Sequence, residues 1–145
     1  MVTPVAVVGA TGRLGGLVAA VVEELPEFEL VARLSSKDGA HQAPPSVFGG
    51  AALVVDVTVP SLSPAIVENA LSSGANVLVG TSGWSLDRLA KLRTGLRERP
   101  DQGVLVVPNF SIGSVLGTHL ATIAAPWFPA AEIVETHHAG KIDSP

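Results

Sequence analysis

Short apolar runs recur along the chain, separated by glycine- and proline-rich turns and by segments with helical spacing. Val5-Ala6-Val7-Val8 is a β-branched run ending at Gly9, which predicts a buried first strand. From Arg13 to Leu25 the apolar residues Leu14, Leu17, Val18, Val21, Val22 and Leu25 fall on one helical face, and Pro26 stops the helix. Phe28 to Leu34 reads as a second strand. Residues 35–50 are rich in Ser, Gly and Pro and read as a loop with room for one short helical turn. Ala52 to Val57 is a third strand, closed by Thr58-Val59-Pro60. A helix from Leu62 to Ser73 follows, with Ser61 or Ser63 as its cap and Gly74 as its stop. Asn76 to Val79 predicts a fourth strand running into Gly80-Thr81-Ser82-Gly83, after which Ser85 caps a helix reaching Arg99. Val104 to Val107, Ile112 to Ala125 and Ala131 to Glu135 complete the pattern as strand, helix and sixth strand.

Strands alternating with helices predict an α/β fold, a parallel sheet with helices on both faces. Composition agrees. Of 145 residues, 47% are hydrophobic and only 15% charged, which suits a sheet buried on both sides and one domain with a substantial core. No apolar run approaches the roughly 18 residues of a membrane span. Met1-Val2-Thr3-Pro4 lacks the basic lead of a signal peptide, so a cytoplasmic location is expected. A net charge of −4 with no basic run argues against a nucleic-acid partner. The absence of cysteine excludes disulfides, thiolate metal sites and cysteine nucleophiles.

In a parallel sheet of this kind ligands gather at the carboxyl ends of the strands. Gly9-Ala10-Thr11-Gly12-Arg13-Leu14-Gly15 lies there, between a strand and a helix. Glycines at this spacing let the backbone approach a pyrophosphate whose charge the helix N-terminus stabilises, so the turn predicts a Rossmann-type dinucleotide site. An acid after the second strand would bind a ribose 2′-hydroxyl, whereas basic and hydroxyl groups suit a 2′-phosphate. Ser35, Ser36 and Lys37 occupy that place, with no carboxylate before Asp38, which favours NADPH over NADH.

His137, His138 and Lys141 lie in the loop after the predicted sixth strand. Histidine and lysine both carry protons, and a lysine there can also hold an anionic substrate. Adjacent histidines in an extended segment point to opposite sides, so the two are expected to have different roles. Without a third ligand nearby, they make a poor metal site. The remaining candidates read as structural: His119 as a packed histidine, His41 as solvated, and Trp127 with Phe128 as a packing plug. Trp84 follows Gly80-Thr81-Ser82-Gly83 and either lies near a nicotinamide or anchors the next helix.

Taken in order, these loops resemble the dihydrodipicolinate (4-hydroxy-tetrahydrodipicolinate) reductase family of lysine and diaminopimelate biosynthesis. The glycine turn is similar to its phosphate loop. Asp56-Val57-Thr58-Val59-Pro60 resembles D-F-T-x-P, and Gly80-Thr81-Ser82-Gly83-Trp84 resembles G-T-T-G-F. Val107-Pro108-Asn109-Phe110-Ser111-Ile112-Gly113 resembles A-P-N-F-S-x-G, and the segment from His137 to Pro145 resembles H-H-x-x-K-x-D-A-P. The resemblance implies dinucleotide contacts from Gly9, Ala10, Thr11, Gly12, Arg13 and Leu14, from Gly80, Thr81 and Ser82, and from Val107, Pro108, Asn109 and Phe110. It further implies a proton-handling pair, His137 and Lys141, with His138 touching the substrate. NADPH or NADH would reduce a cyclic dicarboxylic imine. Residues 1–136 would form the dinucleotide-binding domain and 137–145 the start of the catalytic segment. The family continues with an S-G-T carboxylate-binding turn and a second domain that builds a homotetramer. The chain is therefore expected to be a truncated fragment that binds cofactor without useful turnover.

Two rival reductase classes fail on composition. Short-chain dehydrogenases need a catalytic tyrosine and semialdehyde dehydrogenases a cysteine, and the chain has neither. A non-catalytic dinucleotide-binding or regulatory module is the remaining alternative, against which His137, His138 and Lys141 argue.

Overall fold

The computed structural model describes residues 1–107, 109–134 and 136. Its contacts divide the chain into two units, residues 1–110 and 111–145. The first contains β1 (Thr3–Val8), α1 (Arg13–Glu24), β2 (Phe28–Leu34), β3 (Leu53–Asp56), α2 (Ser63–Ser72), β4 (Asn76–Val79), α3 (Leu86–Leu96) and β5 (Val104–Val106). All five strands are parallel, in the order β2-β1-β3-β4-β5. The chain leaves β1 toward one edge and returns past it to β3, so the direction of winding reverses between those two strands. That crevice is where a doubly wound sheet binds ligands.

The period of two in the strands sorts their side chains between two apolar layers. Ala6, Val8, Val54, Val77 and Val79 join Ile66, Val67, Ala70 and Leu71 of α2, with Leu92 and Leu96 of α3 packed against them. Val5, Val7 and Val55 point the other way, to Ala19 and Val22 of α1. Helices thus lie on both faces, and the apolar runs are longest where the central strands are covered, whereas Leu105 of the edge strand β5 is exposed.

Boundaries fall close to expectation, and the differences have local causes. The loop at 35–50 holds two 3₁₀ turns, Ser36–Asp38 and Pro45–Phe48, rather than one. Neither Ser61 nor Ser63 caps α2. Its N-cap is Leu62, without a side-chain bond, and Ser63 is its first residue, with its hydroxyl engaged elsewhere. Gly74 does end α2: at φ +90° it lets its own N–H reach the Leu71 carbonyl (3.0 Å) and that of Ala75 reach Ala70 (3.2 Å). α3 stops at Leu96, three residues early, because Arg97, Glu98 and Arg99 bond three residues back in a tightened last turn.

In the second unit, α4 (Ile112–Ala124) is capped by Ser111, which accepts from the Ser114 amide at 3.3 Å. The predicted sixth strand is not formed over 131–134: no described segment pairs with them, and a strand exists only through its ladder. Glu135 lies outside the described residues. His119, Trp127 and Phe128 are exposed, not packed, because the described residues of this unit amount to one helix and a short 3₁₀ turn and provide no second layer. His41, in the first unit, is half-buried rather than solvated.

Candidate functional site

Five loops rise from the carboxyl edge of the sheet in the first unit, and their backbones are fastened to one another. The first is the glycine turn. Gly9 sits at φ +92°, a conformation only glycine adopts cheaply, and a Cβ there would lie 2.5 Å from the Val57 carbonyl oxygen. A Cβ on Gly15 would stand 2.0 Å from the Gly9 carbonyl oxygen, and one on Gly12 3.2 Å from the same atom. These glycines are where the turn folds on itself and against the loop after β3. Gly12 N-caps α1 without any side-chain hydrogen bond, and the first helical turn carries no acid. Thr11, Gly12, Arg13 and Leu14 are exposed around this helix end. A phosphate fits such a cradle: the backbone is bare, and the positive end of α1 meets no competing carboxylate.

The end of β2 is tied to the same turn. The Leu34 carbonyl accepts from the amides of Gly9 (2.7 Å) and Ala10 (3.0 Å). Ser35 follows at once and N-caps the first 3₁₀ turn, its hydroxyl accepting from the Lys37 amide at 3.1 Å while the Asp38 carboxylate accepts from the Ser35 amide. The Ser35 amide, then its hydroxyl, holds the Asp38 carboxyl below the usual carboxylate range. An acid absent from positions 35–37 of the sequence is thus folded back onto the end of β2.

The loops after β3 and β4 share a buried polar hub. Asp56, the last residue of β3, is fully buried. One of its carboxylate oxygens accepts from the Thr58 amide (3.1 Å) and hydroxyl (2.6 Å), and the other accepts from the Ser63 hydroxyl. Ser63 in turn accepts from the Trp84 indole N–H at 3.0 Å. Thr81 accepts from the Thr58 amide (2.8 Å) and donates to the Asp56 carbonyl (3.3 Å). No described cation touches the carboxylate. Three donors and the positive end of α2, which begins at Ser63, offset its burial instead. Arg88 closes the outer side by donating to the carbonyls of Pro60 (3.0 Å) and Gly83 (2.9 Å).

The fifth loop follows β5. A Cβ on Gly80 would lie 2.4 Å from the Phe110 ring and 3.0 Å from the Val57 side chain, so the phenyl ring lies against bare backbone after β4. The structure therefore brings together the predicted residues Gly9 to Leu14, Ser35, Lys37, Gly80, Thr81 and Phe110 along one edge. Ser82, Val107 and Asn109 stand on the same loops. Ser36 is in the first 3₁₀ turn. Pro108, His137, His138 and Lys141 lie outside the described residues. Trp84 packs on the core and pins the loop after β4 to the start of α2, the helix before it in the chain. Sequence reasoning passed over Asp56, Ser63 and Arg88 as functional positions. The available signal was a carboxylate closing an apolar strand, with hydroxyls two and seven residues later.

Comparison with known proteins places this arrangement. The chain is 51% identical over its full length to a 4-hydroxy-tetrahydrodipicolinate reductase of Clavibacter michiganensis subsp. michiganensis, covering 50% of that protein. It is 43% identical to the protein of the same name in Streptomyces coelicolor, over 97% of the chain and 55% of the relative. The chain thus spans about half the length of the curated relatives it matches. Among solved structures, a dipicolinate-bound dihydrodipicolinate reductase from Paenisporosarcina sp. TG-14 superposes with a TM-score of 0.75 at 29% identity, covering 100% of this chain and 62% of that one. No helix among the described residues is long and apolar enough to cross a membrane. The family described as dihydrodipicolinate reductase, N-terminus, matches residues 3–110, and the chain belongs to it.

Proposed function

We propose that the chain supplies the dinucleotide-binding part of an NAD(P)H-dependent reductase of 4-hydroxy-tetrahydrodipicolinate in lysine and diaminopimelate biosynthesis. The observation that carries this reading is the turn from Gly9 to Gly15, which has no room for a Cβ at Gly9 or Gly15 and opens a helix with no side-chain cap at the winding reversal of the sheet. Residues 1–136 serve as the cofactor domain, and residues 137–145 begin the catalytic and substrate segment.

Gly9, Ala10, Thr11, Gly12, Arg13 and Leu14 take the pyrophosphate on backbone amides and the helix dipole. Ser35, Ser36 and Lys37 form the turn beside the adenosine ribose, and a hydroxyl- and cation-bearing turn there tilts the choice toward NADPH over NADH. Gly80, Thr81, Ser82, Val107, Pro108, Asn109 and Phe110 form the wall on the nicotinamide side. The reduced nicotinamide, when bound, supplies the hydride. His137 and Lys141 hold the proton that neutralises charge developing on the substrate, and His138 contacts the substrate itself. The cationic charge on this segment also attracts the substrate's carboxylates. The partner is accordingly a small dicarboxylate, and the full-length protein assembles as a cytoplasmic homotetramer. The names of the relatives and of the structural neighbour support the substrate class.

Titration of NADH and NADPH against the chain, followed by nicotinamide fluorescence, tests the cofactor half, and binding of at least one is expected. For the chemistry, a chain extended past residue 145 is assayed for cofactor-dependent reduction of the imine. No turnover with either cofactor would falsify the assignment.

A further inference from the structure

Asp38 lies three residues beyond Ser35, the first of the positions that carry the cofactor preference in the sequence, yet the fold returns its carboxylate to that residue. The Leu34 carbonyl ties the end of β2 to the amides of Gly9 and Ala10, so Ser35 starts one bond away from the phosphate turn. Asp38 then places one carboxylate oxygen on the Ser35 amide, and the Ser35 hydroxyl caps the Lys37 amide. Gly39, at φ +66°, reverses the chain immediately afterwards and holds the short turn closed. The side chain of Asp38 is exposed, so its carboxylate stays open to a ligand while it is held by Ser35.

We infer that Asp38 biases the cofactor site toward NADH, opposing the tilt that Ser35 and Lys37 give toward the phosphorylated cofactor. This rests on the reading that the turn from Gly9 to Leu14 takes the dinucleotide. A fixed, exposed carboxylate beside the ribose accepts from a 2′-hydroxyl and repels a 2′-phosphate. Lys37 acts in the opposite sense, its backbone amide bonding the Ser35 hydroxyl and its side chain exposed. The bonds from Ser35 lower the Asp38 carboxyl from its usual range and so favour its charged form.

The test is equilibrium binding of NADH and of NADPH to the wild-type chain, Asp38→Asn and Lys37→Ala. The asparagine side chain retains an oxygen for the Ser35 amide, so the turn is preserved while the charge is lost. Asp38→Asn is expected to shift the affinity ratio about tenfold toward NADPH, and Lys37→Ala severalfold toward NADH. Should Asp38→Asn lose its turn, Ser35→Ala separates the effects, because it weakens the same cap but leaves the charge and is expected to move the ratio less. A wild-type chain that binds both cofactors, with a ratio unchanged within about twofold in Asp38→Asn, overturns this inference alone. If the wild type binds neither, the cofactor reading falls and takes the inference with it.

Discussion

Asp56→Asn exchanges one carboxylate oxygen for an amide at the most buried polar point of the site, and its cost can be followed bond by bond. The asparagine side chain keeps an oxygen for the amide and hydroxyl of Thr58, which bond the same atom of Asp56. Its NH₂ group then faces the Ser63 hydroxyl, which already accepts from Trp84. Ser63 gains a donor and loses its acceptor, and its hydroxyl proton is left without a partner at a fully buried residue. An orphaned buried donor costs about 1–3 kcal/mol. Loss of the buried charge works the other way, since an ion held away from water carries a desolvation penalty that a neutral amide does not. A net destabilisation of about 1–2 kcal/mol is expected from urea unfolding followed by far-UV circular dichroism. Asp56→Ala should cost more, about 2–4 kcal/mol, because Thr58 loses its acceptor as well, although the Thr58 amide keeps Thr81. Coupling is the discriminating quantity. In Ser63→Ala the orphaned hydroxyl no longer exists and the carboxylate has already lost that donor, while the new NH₂ group has no acceptor there. The cost of Asp56→Asn should therefore differ by at least about 0.5 kcal/mol between that background and the wild type. Additive costs, or an Asp56→Asn variant as stable as wild type, would refute the shared-hydroxyl argument.

Two glycines of the site make contrasting predictions. A methyl group on Gly15 meets the carbonyl oxygen and carbon of Gly9 at 2.0 and 2.5 Å, backbone that cannot yield without opening the turn, so Gly15→Ala should lose about 3 kcal/mol and all cofactor binding. A methyl on Gly80 meets the edge of the Phe110 ring instead, which can swing away. Gly80→Ala should cost about 1 kcal/mol while cofactor affinity falls severalfold, and equal losses of stability in the two variants would contradict the distinction between backbone and side-chain obstruction. Away from the site, Arg99 bonds both oxygens of Glu68 at 2.5 and 3.2 Å, and this hydrogen bonding holds the Glu68 carboxyl below its usual value of 4.5. A depressed carboxyl stabilises the fold above its unfolded pKa and loses that contribution as pH falls through the folded one. Glu68→Gln should therefore cost about 0.5 kcal/mol at neutral pH, discounted for exposure, and almost nothing at about pH 3 or in high salt. Equal costs at both pH values would mean that the effect is not the ion pair.

How much of this was legible in the sequence depends on the range over which each feature is determined. The strands and helices were readable because their cause is local: β-branched runs such as Val5 to Val8 and helical spacing such as Leu14 to Leu25 carry their own period. The glycine turn was readable for the same reason, as strand, turn and helix are consecutive. Ala131 to Glu135 had the local signal of a strand too, but over 131–134 no described segment pairs with it, and pairing is a property of two segments. The hub at Asp56 failed in the opposite direction. Its donors come from Thr58 and Ser63, and through Ser63 it reaches Trp84, 21 positions further on, so nothing in any single window marks the aspartate as more than a strand end. Asp38 shows the limit at its sharpest. Linear position put it too far from β2 to read a ribose, and one 3₁₀ turn with a glycine behind it returns the carboxylate to Ser35. Where a charge stands in such a loop is therefore a matter of the turn's geometry as much as of which residue follows the strand, and counting positions from the strand end misplaces the Asp38 carboxylate.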